Sequence, residues 1–368
     1  MRRAFTFLSL VLAILPALLV TLFWHQPECG APHTCQAPSI TSAADLEKIQ
    51  KRYLAEALNL WQQADYQQAT DFFKLAAQSG SERAKVYQFY TTEWLASQND
   101  PARPASNSLP WAEGSCRQQV LFVTGEISSL PQAAQFISQF KRDPRLQLLP
   151  ICVAPTVEFV PELLQCSDVD ANTRISCNIG PLASTLKERQ FTHLVIFARQ
   201  GKANVHNGIM YLDQQDTYDV LIHELAHFAG FVDEYPLSEE LAKRICQGVE
   251  APNLVFQQAG QSQPDTHYWQ QLGQLHNAPL STAQTCNNHS AQAFKLSADM
   301  TFMQYHDLRR IPDSYLAAWQ AALRQNRNIT PAYINFAQLY EQQHDDSARY
   351  WRTRYQAFLQ QSQNNLAD

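Results

Sequence analysis

Residues 223–235 read His-Glu-Leu-Ala-His-Phe-Ala-Gly-Phe-Val-Asp-Glu-Tyr, and that string restricts the chain more than any other. His223 and His227 stand four residues apart. On a helix they leave one face, one turn apart, and can share a single metal ion. Glu224 lies beside them, placed to take a proton from water. Gly230 has no Cβ and lets the chain turn sharply. The turn brings Asp233 back toward the histidines as a third ligand. Three protein ligands with one open position are what a catalytic zinc site requires.

The surrounding pattern is helical. Leu221, Leu225 and Phe228 form one apolar stripe, and Ile222, Ala226 and Ala229 form a second. The histidine face lies to one side of both. The competing reading is a helix with two surface histidines.

The string resembles the zinc signature of the metzincin metallopeptidases, in the variant where Asp replaces the third His. Asp233-Glu234-Tyr235 is also similar to the bacterial IgA-peptidase-type enzymes, which place Asp-Glu-Tyr one residue later. That offset leaves Asp233 and Glu234 as alternatives for the third ligand. Downstream, residues 297–305 resemble the metzincin Met-turn. The resemblance implies that Met303, with Met300 in reserve, forms an apolar floor under the metal. It implies that Tyr305 points at the zinc and donates to the oxyanion of the tetrahedral intermediate. Read as residues alone, Met303 and Tyr305 fit an ordinary core equally well. The likeness covers about residues 190–319.

Residues 192–198 form a short apolar run typical of a buried strand. Residues 207–213 follow, preceded by turn chemistry. The resemblance implies an edge strand here, so Gly208, Ile209, Met210 and Tyr211 are expected to pair with an extended peptide substrate.

The N-terminus predicts the compartment. Arg2 and Arg3 precede residues 4–24, which carry no charge. That run is long enough to cross a bilayer, and the basic start keeps the N-terminus cytoplasmic. A single-pass anchor with its body on the periplasmic or extracellular side is expected, with a cleaved signal peptide as the alternative. The chain has eight Cys, an even number that permits disulfides outside the cytoplasm. Cys29 and Cys35, Cys166 and Cys177, and Cys246 and Cys286 each bracket a segment, which leaves Cys116 and Cys152. Connectivity stays open. A net charge of −6 argues against nucleic acid as a partner.

The expected organisation has five parts. Residues 1–40 are anchor and stalk. Residues 41–98 are helical and resemble tetratricopeptide or Sel1-type hairpins; with barely two repeats, a small helical packing domain is the plainer reading and a surface for a protein partner the alternative. Residues 99–110 are a linker. Residues 111–312 form the metallopeptidase domain, with strands at 120–124 and 146–151, a helix over 131–140, and a mixed sheet. Residues 313–368 are a helical hairpin. The expected class is therefore α/β (α+β), metzincin-like.

His267, His276, His289 and His306 are further candidate ligands in principle, as are Glu239 and Glu240 downstream. The sequence predicts a membrane-tethered zinc peptidase with one Zn2+ per chain and Glu224 as general base. Two other classes stay open. One is a metallo-amidase acting on cell-wall peptides. The other is a catalytically silent zinc-containing scaffold that binds a partner through its helical hairpins.

Overall fold

The computed structural model describes residues 43–99, 116–167, 169–273, 280–325 and 328–364. It is a mixed α/β chain. Three helices come first: α1 (Ala43–Gln62), α2 (Tyr66–Gln78) and α3 (Glu82–Asn99). Asp65 caps α2, its carboxylate accepting from Gln68 N at 3.2 Å. These helices share one hydrophobic core with the main sheet. The Trp61 ring lies 5.7 Å from that of Phe159.

The central part runs through β1 (Gln118–Thr124), α4 (Leu130–Arg142), β2 (Ile151–Phe159), β3 (Gln165–Cys166), β4 (Cys177–Asn178) and α5 (Leu182–Leu186). It continues with β5 (His193–Phe197), β6 (Asn204–His206) and β7 (Ile209–Leu212). Five of these strands form one sheet in the order β2-β1-β5-β7-β6. Four are parallel, and β6 is antiparallel to β7. The parallel strands are nearly continuous apolar runs because both faces are covered. Val195, Ile196, Phe197, Met210 and Leu212 have no exposed surface.

Two strand expectations are corrected. The chain does not extend over 146–151. Asp143 accepts from Arg145 N at 3.0 Å and pairs with its guanidinium, so the chain turns before Ile151. The strand then runs to Phe159 through Pro155. That proline is tolerated because β2 is an edge strand whose register shifts between Val120 and Phe122. The second correction concerns 207–213. β7 is interior, with β5 on one side and β6 on the other. Gly208 takes φ +77° in the turn joining β6 to β7, where a Cβ would collide with backbone atoms of Thr330 and Ala332. The turn folds Asn204–His206 back as a hairpin, and β6 becomes the edge.

The remaining elements are α6 (Tyr218–Phe228), α7 (Glu239–Ile245), β8 (Leu254–Gln257), α8 (His267–Gln271), β9 (Ser281–Ala283) and β10 (Gln292–Lys295). Strands β8, β10 and β9 make a small antiparallel sheet over its own core. Helices α9 (Asp313–Gln325), α10 (Tyr333–Gln342) and α11 (Ser347–Asn364) close the chain. The last two form a hairpin, with the Trp351 and Phe336 rings stacked at 4.5 Å.

Disulfides join Cys116 to Cys152, Cys166 to Cys177 and Cys246 to Cys286. Cys29 and Cys35 lie outside the described residues, as do residues 4–24 and the linker beyond Asn99. Among the described residues no helix is long and apolar enough to cross a membrane.

Candidate metal centre

Helix α6 carries the first three site residues. Thr217 caps it, accepting from Val220 N at 3.4 Å. At its far end Phe231 N donates to Ala226 O at 3.2 Å and Gly230 N donates to His227 O at 3.0 Å. Gly230 takes φ +86°. These features form a Schellman cap, and a residue without Cβ suits its left-handed position. Gln118 Nε2, reaching from β1, donates to Phe228 O at 3.0 Å and fixes the helix end to the sheet.

The reversal brings Asp233 to both histidines. Asp233 Oδ1 lies 3.0 Å from His223 Nε2 and 3.2 Å from His227 Nε2. The two Nε2 atoms are 3.3 Å apart. Each ring is oriented from behind. His223 Nδ1 bonds to Phe302 O at 2.9 Å, and His227 Nδ1 bonds to Phe231 O at 2.8 Å. A carbonyl only accepts, so Nδ1 is the protonated nitrogen in both neutral rings and Nε2 presents a lone pair. Asp233 Oδ1 is buried without a hydrogen-bond donor. Three potential ligand atoms thus converge on one point. Ligands of a tetrahedral zinc, each about 2.0–2.1 Å from the ion, stand roughly 3.3–3.4 Å apart. The observed spacing fits that figure.

A proton competes for the same point. Burial opposes protonation of His227, but Asp233, Glu224 and the Phe231 carbonyl outweigh it and push its pKa up to about 9. Burial also works against the charge on Asp233, yet both histidines hold its carboxyl well below the usual range. Glu224 sits beside the cluster and is 8 % exposed. Burial pushes its carboxyl up, partly offset by His227 and His223.

Glu234 points the other way and is fully buried. Its Oε1 accepts from Tyr315 Oη at 2.5 Å and from Asn253 Nδ2 at 2.9 Å. Its Oε2 accepts from Thr301 Oγ1 at 2.5 Å and faces Lys295 Nζ at 3.6 Å. Its backbone N donates to Met303 O at 2.9 Å. Of the two alternatives, Asp233 is the one in the cluster. The residue after them, Tyr235, donates its hydroxyl to Asp233 Oδ2 at 2.8 Å.

Met303 is fully buried, while Met300 is 59 % exposed. Phe302 and Trp319 stack at 6.1 Å and Trp319 also packs on Phe231, so the two residues whose carbonyls hold the histidines share one aromatic cluster. Tyr305 stands next to His306, their rings 5.6 Å apart. It is 52 % exposed, and its hydroxyl bonds to Asp307. Gly208, Ile209, Met210 and Tyr211 lie in or beside interior strand β7 and offer no edge to a peptide. His306 stands on the rim, its ring 6.4 Å from that of His223, paired with Asp307. His267 and His289 lie elsewhere, and His276 falls outside the described residues. Glu239 pairs with Lys243 on α7, which also carries Glu240.

The residues that sequence reasoning missed are Tyr235, Asn253, Lys295, Thr301 and Tyr315. Tyr235 was legible as the end of the Asp-Glu-Tyr string. Asn253 and Tyr315 carry no local signal, because long-range packing alone brings them to Glu234. No protein-family model, curated protein or solved structure matches the chain.

Proposed function

We propose that the chain is a zinc-dependent peptidase of metzincin-like type, with one Zn2+ held by His223, His227 and Asp233. The observation that carries this reading is the convergence of His223 Nε2, His227 Nε2 and Asp233 Oδ1, 3.0–3.3 Å from one another, beside the buried carboxyl of Glu224. A zinc held by these three residues would supply Lewis-acid polarisation of the scissile carbonyl and would lower the pKa of a nearby water. Glu224 is placed to accept a proton from an attacking water and to return it to the leaving amine. A buried carboxyl with a raised pKa suits both steps. Tyr235 and the two Phe carbonyls hold the ligands in place. The free edge of β6 is where an extended peptide adds as a strand. Three disulfides fit an oxidising compartment, with residues 4–24 as the tether to a bilayer.

The scaffold reading gains less support, because a structural metal has no use for a buried general base at Glu224. The amidase reading differs only in the substrate and shares every residue above. Elemental analysis of the purified full chain should find one zinc per chain, lost in His223→Ala and His227→Ala. Glu224→Gln should keep fold and metal and lose nearly all hydrolysis of a broad peptide library. Metal retained in both histidine variants, or near-native turnover in Glu224→Gln, would refute the proposal.

A further inference from the structure

A short strap, described over residues 166–167 and 169–177, is closed at its base by the Cys166–Cys177 disulfide and the β3–β4 pair. Its returning limb bonds to the chain just ahead of β6. Lys202 N donates to Thr173 O at 2.8 Å, and Ile175 N donates to Lys202 O at 3.2 Å. Asn204 Nδ2 donates to Ile175 O at 3.1 Å. Arg174 is thereby bridged in parallel to Lys202. Bridged partners send their side chains to the same face.

Two exposed cations therefore stand side by side. Among the described residues neither has a carboxylate within ion-pair distance. Like charges directly opposite each other are unfavourable unless an anion joins them. The β6 strand that the strap joins packs against α6, the helix that carries His223 and Glu224. The strap also meets β6 where the free edge begins. A peptide laid on that edge would run toward Arg174.

We infer that Arg174, with Lys202 beside it, holds a carboxylate of the peptide substrate and makes the site selective for acid-bearing peptides. This rests on the peptidase reading above. A guanidinium grips a carboxylate with two parallel hydrogen bonds, which gives geometry as well as charge. The carboxylate belongs to an Asp or Glu side chain or to the peptide's C-terminus.

The test measures binding, separately from turnover. The full chain carrying Glu224→Gln is titrated against labelled ten-residue peptides of Ala, Ser and Gln, read by fluorescence anisotropy. One peptide is amidated and neutral, a set carries a single Glu at each position, and one has a free C-terminal acid. Acid-bearing peptides should bind about tenfold to a hundredfold tighter than the neutral one, the size of a charge-assisted pair. Arg174→Gln should erase that difference while leaving the neutral peptide unchanged. Arg174→Glu should reverse it. A preference that follows the Glu position assigns a side-chain carboxylate; one confined to the free acid assigns the terminus. Equal binding of acidic and neutral peptides, or equal weakening of both by Arg174→Gln, overturns the inference. Metal content of the same samples reports separately on the peptidase reading.

Discussion

The hydroxyl of Tyr235 donates to Oδ2 of Asp233 at 2.8 Å, and Oδ1 is left as the oxygen that faces both histidines. One carboxylate is thus divided between an orienting bond and a ligand position. Burial and the neighbouring Asp233 push the phenol pKa up, so the hydroxyl stays a donor. Tyr235→Phe should leave the fold intact and weaken zinc binding about tenfold to a hundredfold, the usual effect of losing an outer partner. Chelator competition measures it. Asp233→Ala should be far worse in the same assay, and equal affinities for all three proteins would deny both roles.

Glu234 acts on the fold first. Its carboxylate joins α9, the Met303 loop and Asn253, and removing it leaves the Tyr315, Thr301 and Asn253 donors unsatisfied and buried Lys295 without its counter-charge, held only by Asp299 O and Gln304 Oε1. Glu234→Ala should destabilise the chain by about 3–5 kcal/mol. Metal should still bind at one per chain in the fraction that folds. Denaturant titration and elemental analysis together separate this outcome from loss of a ligand.

The Cys246–Cys286 bridge spans a separation of 40 residues and encloses Asn253. Closing a loop of that size removes about 4 kcal/mol of unfolded-state freedom. The double Cys→Ser variant should melt on the order of 10 °C lower. Because Asn253 Nδ2 also donates to Val232 O at 2.7 Å, beside the ligand turn, zinc should leave the variant faster. Calorimetry and a chelator time course check the two parts.

His193 gives the fold a pH dependence away from the metal. It is fully buried on β5 against the Phe228 ring, and burial lowers its pKa to about 3. Unfolded, it titrates near 6.5. The folded state therefore favours the neutral ring. That stability is complete above pH 6.5 and is lost as pH falls toward about 3, at about 1.4 kcal/mol per pH unit. Between pH 7 and 5 the loss from this group is about 2 kcal/mol. In His193→Asn, urea midpoints at the two pH values should differ by that much less. An unchanged difference would show that another group carries the acid sensitivity.

The ligand set was legible in the sequence because it is local. A four-residue spacing, a glycine and an aspartate fix it within one helix and one turn. The same locality made the helix over 131–140 and the buried strand at 192–198 readable. What was not legible depends on which strand neighbours which. An apolar run such as 207–213 looks the same at an edge or in the interior, and only the hairpin through Gly208 decides between them. Pro155 hid the second strand, since its tolerance depends on the edge position of β2. Glu234 and Asp233 are both carboxylates one residue apart. Their separate roles come from Tyr315, Thr301 and Asn253, which approach from distant parts of the chain.

An ideal Cβ placed on Gly230 would come no closer than 3.6 Å to any neighbour, the nearest being Asn328 Cβ. There is room for a side chain, but φ +86° is a conformation that L-residues avoid. What position 230 demands is handedness, not smallness. An alanine there would cost about 1–2 kcal/mol before any contact changed. The chain would recover that cost by relaxing the turn, which would carry Asp233 away from the two imidazoles. The closeness of Asp233 to the two imidazoles, on which the proposed metal site rests, is therefore stored in part in one backbone torsion three residues away.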